Sequence, residues 1–157
     1  MSEIIIPRER NIETVRVYIP SEDGKLGLFL LRRDGAKKNG GLWEAAGGQR
    51  EYDYVNGVYK ESLEGCAIRE AYEETGLIVR IGSLSVLASR KVNDADMLGD
   101  YRASGCEGYV VGGEFKLSDD GEHVDAAWFD PMNLPPLEFT TVTTILIGRH
   151  NTSTLGL

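Results

Sequence analysis

Glu61-Ser-Leu-Glu-Gly-Cys-Ala-Ile-Arg69-Glu70-Ala-Tyr-Glu73-Glu74-Thr-Gly76-Leu77 is the stretch on which the reading of this chain turns. It predicts a helix from about Ser62 to Thr75, stopped by Gly76. Glu70, Glu73 and Glu74 then fall on one face within a turn of each other. Like charges at that spacing repel. They also crowd the last turn, where the negative end of the helix dipole disfavours anions. An arrangement disfavoured twice predicts a cation among the three carboxylates, and hard oxygen donors suit Mg²⁺ or Mn²⁺. The plain alternative is a solvated face with Arg69 paired to Glu73. Cys66, Ala67 and Ala71 are small enough to let the helix lie close to a neighbouring backbone.

The spacing Glu-x7-Arg-Glu-(apolar)-x-Glu-Glu-x-Gly-(apolar) is met by Glu61, Arg69, Glu70, Ala71, Glu73, Glu74, Gly76 and Leu77. It resembles the second half of the Nudix box, the signature of hydrolases that cleave nucleoside diphosphates linked to another moiety. The first half departs from that pattern, with Val55 where the family has a glycine. The usual Gly-Gly pair occurs as Gly47-Gly48 after Leu42-Trp43-Glu44, but twelve residues separate Gly48 from Glu61 instead of five. The extra residues read as an enlarged loop, Gln49 to Lys60, carrying Tyr52, Tyr54 and Tyr59. This loop is expected to border the substrate or to serve a dimer contact.

The resemblance implies a role for each matching residue. Glu70, Glu73 and Glu74 would hold one or more divalent ions, Mg²⁺ foremost with Mn²⁺ as the alternative. Arg69 would orient them through salt bridges, and Glu61 would either bind metal or be structural. Gly48 would offer a carbonyl oxygen, unless it merely makes a turn after a strand. Glu122, six residues before Trp128, matches a loop glutamate that completes the metal site or acts as general base. The other reading of Glu122 is an exposed acid in an acidic loop. The base is thus Glu70, Glu73 or Glu122.

Candidate phosphate contacts are Arg32, Arg33, Lys37, Lys38, Arg50, Arg90 and Lys91, with Arg33 preferred. Trp43 could stack on a base or belong to the core. Asp94 to Gly99 begins like a calcium loop, but Leu98 and Gly105 stand where oxygen ligands are needed. His123 and His150 are isolated, with no spacing that suggests zinc.

The whole chain agrees with this reading. Its 157 residues, 41% apolar and 27% charged, are expected to form a single soluble domain with 151–157 as a flexible tail. No signal peptide or membrane-length apolar run is evident, and two cysteines make no disulfide framework, so the expected location is cytoplasmic. A net charge of −8 argues against a nucleic-acid polymer as partner, yet not against a phosphorylated small molecule approached through metal ions.

Strands are expected at Ile12–Ile19, Leu26–Arg33, Leu42–Ala46, within Ile78–Val92, at Cys106–Lys116 and at Ala126–Phe129, with Asn93 to Gly105 a polar loop. For Phe139 to Arg149 the β-branched residues favour strand, whereas the resemblance implies a closing helix, which is the reading adopted. The pattern alone supports mixed α and β. The resemblance implies an α/β/α sandwich with a mixed sheet, acting as a metal-dependent pyrophosphohydrolase. A nucleotide sensor that does not hydrolyse and a prenyl-diphosphate isomerase of the same fold are the alternatives. Subgroups that act on ADP-ribose or dinucleoside polyphosphates often carry a Pro or Tyr beyond the box. Val92 to Ala95 offers neither, so the substrate is left unnamed.

Overall fold

The computed structural model describes residues 8–9, 12–35, 39–93 and 97–156. Lys37, Lys38 and the first half of the calcium-like stretch lie outside them. The elements run β1 (Arg8–Glu9), β2 (Ile12–Tyr18), β3 (Gly27–Arg32), β4 (Trp43–Glu44), β5 (Ala46–Gln49), β6 (Tyr52–Asp53) and β7 (Val58–Tyr59). Then come α1 (Leu63–Thr75), β8 (Leu77–Ile81), β9 (Ser85–Asn93), β10 (Met97–Gly113), β11 (His123–Phe129) and α2 (Thr141–Thr154).

The main sheet is mixed. Strand β10 pairs parallel with β1 and β2, and antiparallel with β8 and β9, while β2 pairs antiparallel with β5. A second, antiparallel sheet runs β11-β3-β4, and β6-β7 form a separate hairpin. Strand alternation sorts side chains to the two faces. Val15, Val17, Leu28 and Leu30 join Cys66, Ala67 and Ala71 in the core beneath α1. Tyr18, Phe29, Trp43 and Ala45 join Leu146 and Ile147 beneath α2. Each fully buried Val or Leu contributes roughly 1.5–3 kcal/mol. The result is helix, sheet, helix: the sandwich expected.

Helix α1 begins where Ser62 Oγ accepts from the Gly65 N–H at 2.9 Å. It ends at Gly76, which adopts φ 73° and donates its N–H to the Tyr72 carbonyl. The β-branched run after Thr140 is helical despite its strand propensity. Thr143, Leu146 and Ile147, at i, i+3 and i+4, are buried, and Thr143 Oγ1 accepts from the Ala45 N–H at 3.1 Å, so tertiary contacts override local preference.

Two expectations are corrected. Residues 97–105, expected in a polar loop, open the long strand β10. Their polarity is tolerated because the backbone is paired on both edges, with β9 and with β2, and the buried side chains there, Ala103 and Ser104, are small. Residues 151–154, expected in a flexible tail, complete α2, where Asn151 Nδ2 donates to the Pro131 carbonyl at 2.9 Å. Among the described residues no helix is long and apolar enough to cross a membrane.

Candidate active site

The Gly47-Gly48 strand end meets the last turns of α1, and the box carboxylates divide around it. Arg69 organises the first group. Its Nη2 and Nε donate to the two oxygens of Glu61 at 2.6 and 3.0 Å, a bidentate fork. Its Nη1 reaches Glu70 Oε1 at 3.0 Å and Glu73 Oε2 at 3.2 Å. The Arg69 hydrogen bond, against the opposing effect of burial, holds the Glu61 carboxyl below its usual range. Glu73 points outward with its side chain 55% exposed.

Glu70 turns inward, its side chain 17% exposed. A Cβ on Gly48 would stand 2.6 Å from the Glu70 carboxylate, so the missing side chain is what makes room for it. Burial, with the charges of Glu73 and Glu122 adding to it, raises the Glu70 carboxyl above its usual range although Arg69 works against this. The Gly48 carbonyl faces Cys66 Sγ at 3.9 Å.

Glu74 is the deepest of the set at 3% exposure. Its Oε1 accepts from the Gly47 N–H at 2.7 Å. Gly47 can approach so closely because it adopts φ 154° with its missing Cβ against the Val15 carbonyl. Burial pushes the Glu74 carboxyl up to about 9, outweighing the Gly47 hydrogen bond and Arg16.

A second group closes on Glu74 from the β11-β3-β4 sheet. His123 is 4% exposed. A register shift between His123 and Asp125 leaves Val124 and Asp125 both exposed while His123 turns inward. His123 Nε2 lies 2.8 Å from Glu44 Oε2, and Nδ1 lies 3.3 Å from Glu74 Oε2. Arg32 bridges Glu44 at 3.2 Å and Glu122 at 2.9 Å, and Arg16 Nη1 is 3.5 Å from Glu44 Oε1. Burial would raise the Glu44 carboxyl, but His123, Arg16 and Arg32 together bring it below its usual range. One ligand atom from each of Glu44, Glu74, Glu122 and His123 lies within 4.8 Å of the others.

Buried polar atoms are nearly always hydrogen-bonded. Among the described residues Glu44 Oε1, Glu74 Oε2 and His123 Nδ1 are buried without a hydrogen-bond partner. Their concentration in one cluster, beside the cradle at Gly48, fits a divalent cation better than it fits a self-sufficient core.

Glu70, Glu74, Gly48, Arg69 and Glu61 therefore converge, with Glu122 at the margin of the cluster and Glu73 on the solvent side. The expected substrate contacts are placed as follows. Arg33 is exposed, and its backbone N–H donates to the Glu122 carbonyl at 3.1 Å; its neighbour Arg32 turns into the site. Arg50 is engaged with the Glu61 carbonyl and Glu13, and its guanidinium lies 3.9 Å from the Tyr59 ring centroid. Trp43 belongs to the core, edge-on to Phe129. Sequence reasoning passed over Glu44, whose signal was a lone charge inside Leu42-Trp43-Glu44-Ala45-Ala46, and His123, which has no motif of its own.

The chain matches known proteins in sequence and fold. A model of the NUDIX domain matches residues 10–144. An ADP-ribose pyrophosphatase from Methanocaldococcus jannaschii is 39% identical over 143 residues, covering 85% of this chain and 76% of that protein. The crystal structure of a MutT protein from Methanosarcina mazei Go1 superposes with a TM-score of 0.65 at 25% identity, covering 93% of this chain and 96% of that one. A MutT NUDIX hydrolase from Burkholderia pseudomallei gives 0.62 at 21% identity, over 88% and 97%. With Glu70 and Glu74 at the glycine pair and residues 10–144 matched by the family model, the chain belongs to the Nudix family and is a pyrophosphohydrolase of that family.

Proposed function

We propose that this protein is a single-domain cytoplasmic enzyme that hydrolyses the pyrophosphate bond of a nucleoside diphosphate linked to another moiety. ADP-ribose is the first substrate to test, because the curated relative bears that activity in its name. The observation that carries the proposal is the burial of Glu70 and Glu74. Desolvating carboxylates without full compensation costs several kcal/mol, and the Gly47 N–H and Arg69 satisfy only part of what these two present. A divalent cation, Mg²⁺ or Mn²⁺, would supply charge neutralisation at the phosphate oxygens and acidity to the attacking water.

The side chains then divide the remaining work. Glu74 and Glu70, with the Gly48 carbonyl beside them, would hold the ion, and Arg69 fixes Glu70 and Glu61 so that neither drifts. Glu122 is half-exposed and gripped by Arg32, which places a carboxylate where water has access. We assign it the proton from the nucleophile. Glu73, on the solvent side, would bind a further ion brought with the substrate.

Incubation with ADP-ribose and a panel of nucleoside diphosphate conjugates, with Mg²⁺ or Mn²⁺ and with chelator, tests the proposal. Metal-dependent release of AMP and ribose 5-phosphate, or of the equivalent pair of monophosphates, supports it. Tight binding without turnover across the panel overturns it in favour of a sensor.

A further inference from the structure

The preceding reading leaves His123 without a task. Its position is unusual for a structural histidine. Glu44 lies between Arg16 and Arg32, so it is an ionised carboxylate that can only accept a hydrogen bond. Nε2, 2.8 Å from Glu44 Oε2, must therefore carry the ring hydrogen. In the neutral ring this leaves a lone pair on Nδ1, and Nδ1 lies 3.3 Å from Glu74 Oε2 with no hydrogen bond aligned between them. Neither atom has a hydrogen-bond partner among the described residues, and both are buried. With Glu74 ionised, two acceptors this close in a dry interior need a positive group beside them, either a proton or a metal ion.

We propose that His123 Nδ1 is a nitrogen ligand of the divalent cation, sharing it with Glu74 Oε2, so that the centre prefers Mn²⁺, Co²⁺ or Zn²⁺ to Mg²⁺. Two donors each about 2.1 Å from one ion stand roughly 3 Å apart at a right angle and further apart as the angle opens, which accommodates the observed 3.3 Å. A carboxylate behind the distal nitrogen is the usual partner of a metal-binding histidine, fixing tautomer and ring plane, and Glu44 stands there. The charges agree: Glu44, Glu74 and Glu122 are met by Arg16 and Arg32 alone within the cluster. Imidazole nitrogen suits the later divalent ions, whereas Mg²⁺ keeps to oxygen. The register shift in β11 gives the ring its inward aim. The competing occupant of the gap is a proton shared by Glu74 and Nδ1, and the experiment separates the two.

The inference rests on the metal-dependent reading above, so binding, coordination and turnover are measured separately. Mn²⁺-loaded protein is studied by pulsed electron paramagnetic resonance, unlabelled and with ¹⁵N-histidine. A ¹⁴N modulation that changes to ¹⁵N on labelling, and persists in His150→Gln, establishes the ligand without altering the site. In His123→Gln the modulation disappears. Mn²⁺ affinity falls about ten- to a hundredfold, while Mg²⁺ affinity stays within about twofold. Bound Mn²⁺ with no histidine modulation in wild-type protein, or equal losses of Mn²⁺ and Mg²⁺ affinity in His123→Gln, overturns the proposal and leaves hydrolysis standing. Failure to bind Mn²⁺ at all, with no turnover, removes both.

Discussion

Glu61, just before helix α1, and Glu74, in its last turn, are both acidic, yet their surroundings are opposite. Glu61 is met by a bidentate guanidinium and by the Glu51 N–H, and its carboxyl is held low. Glu74 has one backbone N–H and the His123 Nδ1 atom 3.3 Å away without an aligned hydrogen bond, and its carboxyl is pushed up to about 9. A protein that needed acids only for stability would treat both alike. On the proposed reading, the balanced end is scaffold and the unbalanced end is kept available for a cation.

That contrast can be broken, and the largest effect is expected where the imbalance is greatest. Glu74→Gln should lower kcat by about a thousandfold or more, since several kcal/mol of charge stabilisation would be lost, with circular dichroism unchanged. Retention of near-normal turnover would make Glu74 an ordinary buried acid. Next comes Gly48→Ala. Its Cβ would overlap the end of the Glu70 side chain, which can swing aside cheaply. Activity should therefore fall by about a hundredfold while the melting temperature drops only slightly.

Arg69→Met attacks the balanced side. It should cost stability, about 2 kcal/mol after discounting for partial exposure, and reduce turnover about tenfold or more through Glu70. A loss of activity without any loss of stability would erase the distinction drawn here.

The two ends should also separate by pH in metal-free protein. The folded-state pKa of Glu74 is raised from 4.5 to about 9. Its contribution to stability is then complete below 4.5 and is lost as pH rises through about 9. Glu61 and Glu44 are lowered, so their contribution holds above 4.5 and is lost as pH falls through their folded values. Thermal melts in chelator should thus show a maximum between the limbs, with Glu74→Gln flattening only the alkaline one. The smallest effect is expected from trimming Tyr52 to Gly57: relative rates among substrates should change a few-fold with stability nearly unaffected. An unchanged ranking would leave the hairpin without a part in recognition.

How far these regions were legible in sequence follows the same division. Helix α1 was readable because every determinant is local: the Ser62 cap, the small face at Cys66, Ala67 and Ala71, and Gly76. The closing helix was harder, since its threonines favour strand and only the burial of Thr143, Leu146 and Ile147 makes it helical. Residues 97–105 read as loop because their pattern lacks apolar alternation, although a strand paired on both edges does not require it. In the site, Glu70 and Glu74 share one helical turn and so announce themselves. Glu44 and His123 come from separate strands and meet only through sheet register. Arg32 and Arg33 differ by one residue, which on a strand decides the face, and the register against His123 was not available to choose between them.

The hairpin between Gly48 and Glu61 is shut at its root by the Lys60 N–H on the Glu51 carbonyl at 3.0 Å and by the Glu51 N–H on Glu61. Its tyrosines pack on one another, Tyr52 against Tyr54 and Tyr59. What lies beyond the root is therefore a cassette. If the hairpin borders the substrate as expected, its length and lettering can be exchanged while the carboxylates behind it keep their places, and a new specificity grafted without rebuilding the chemistry.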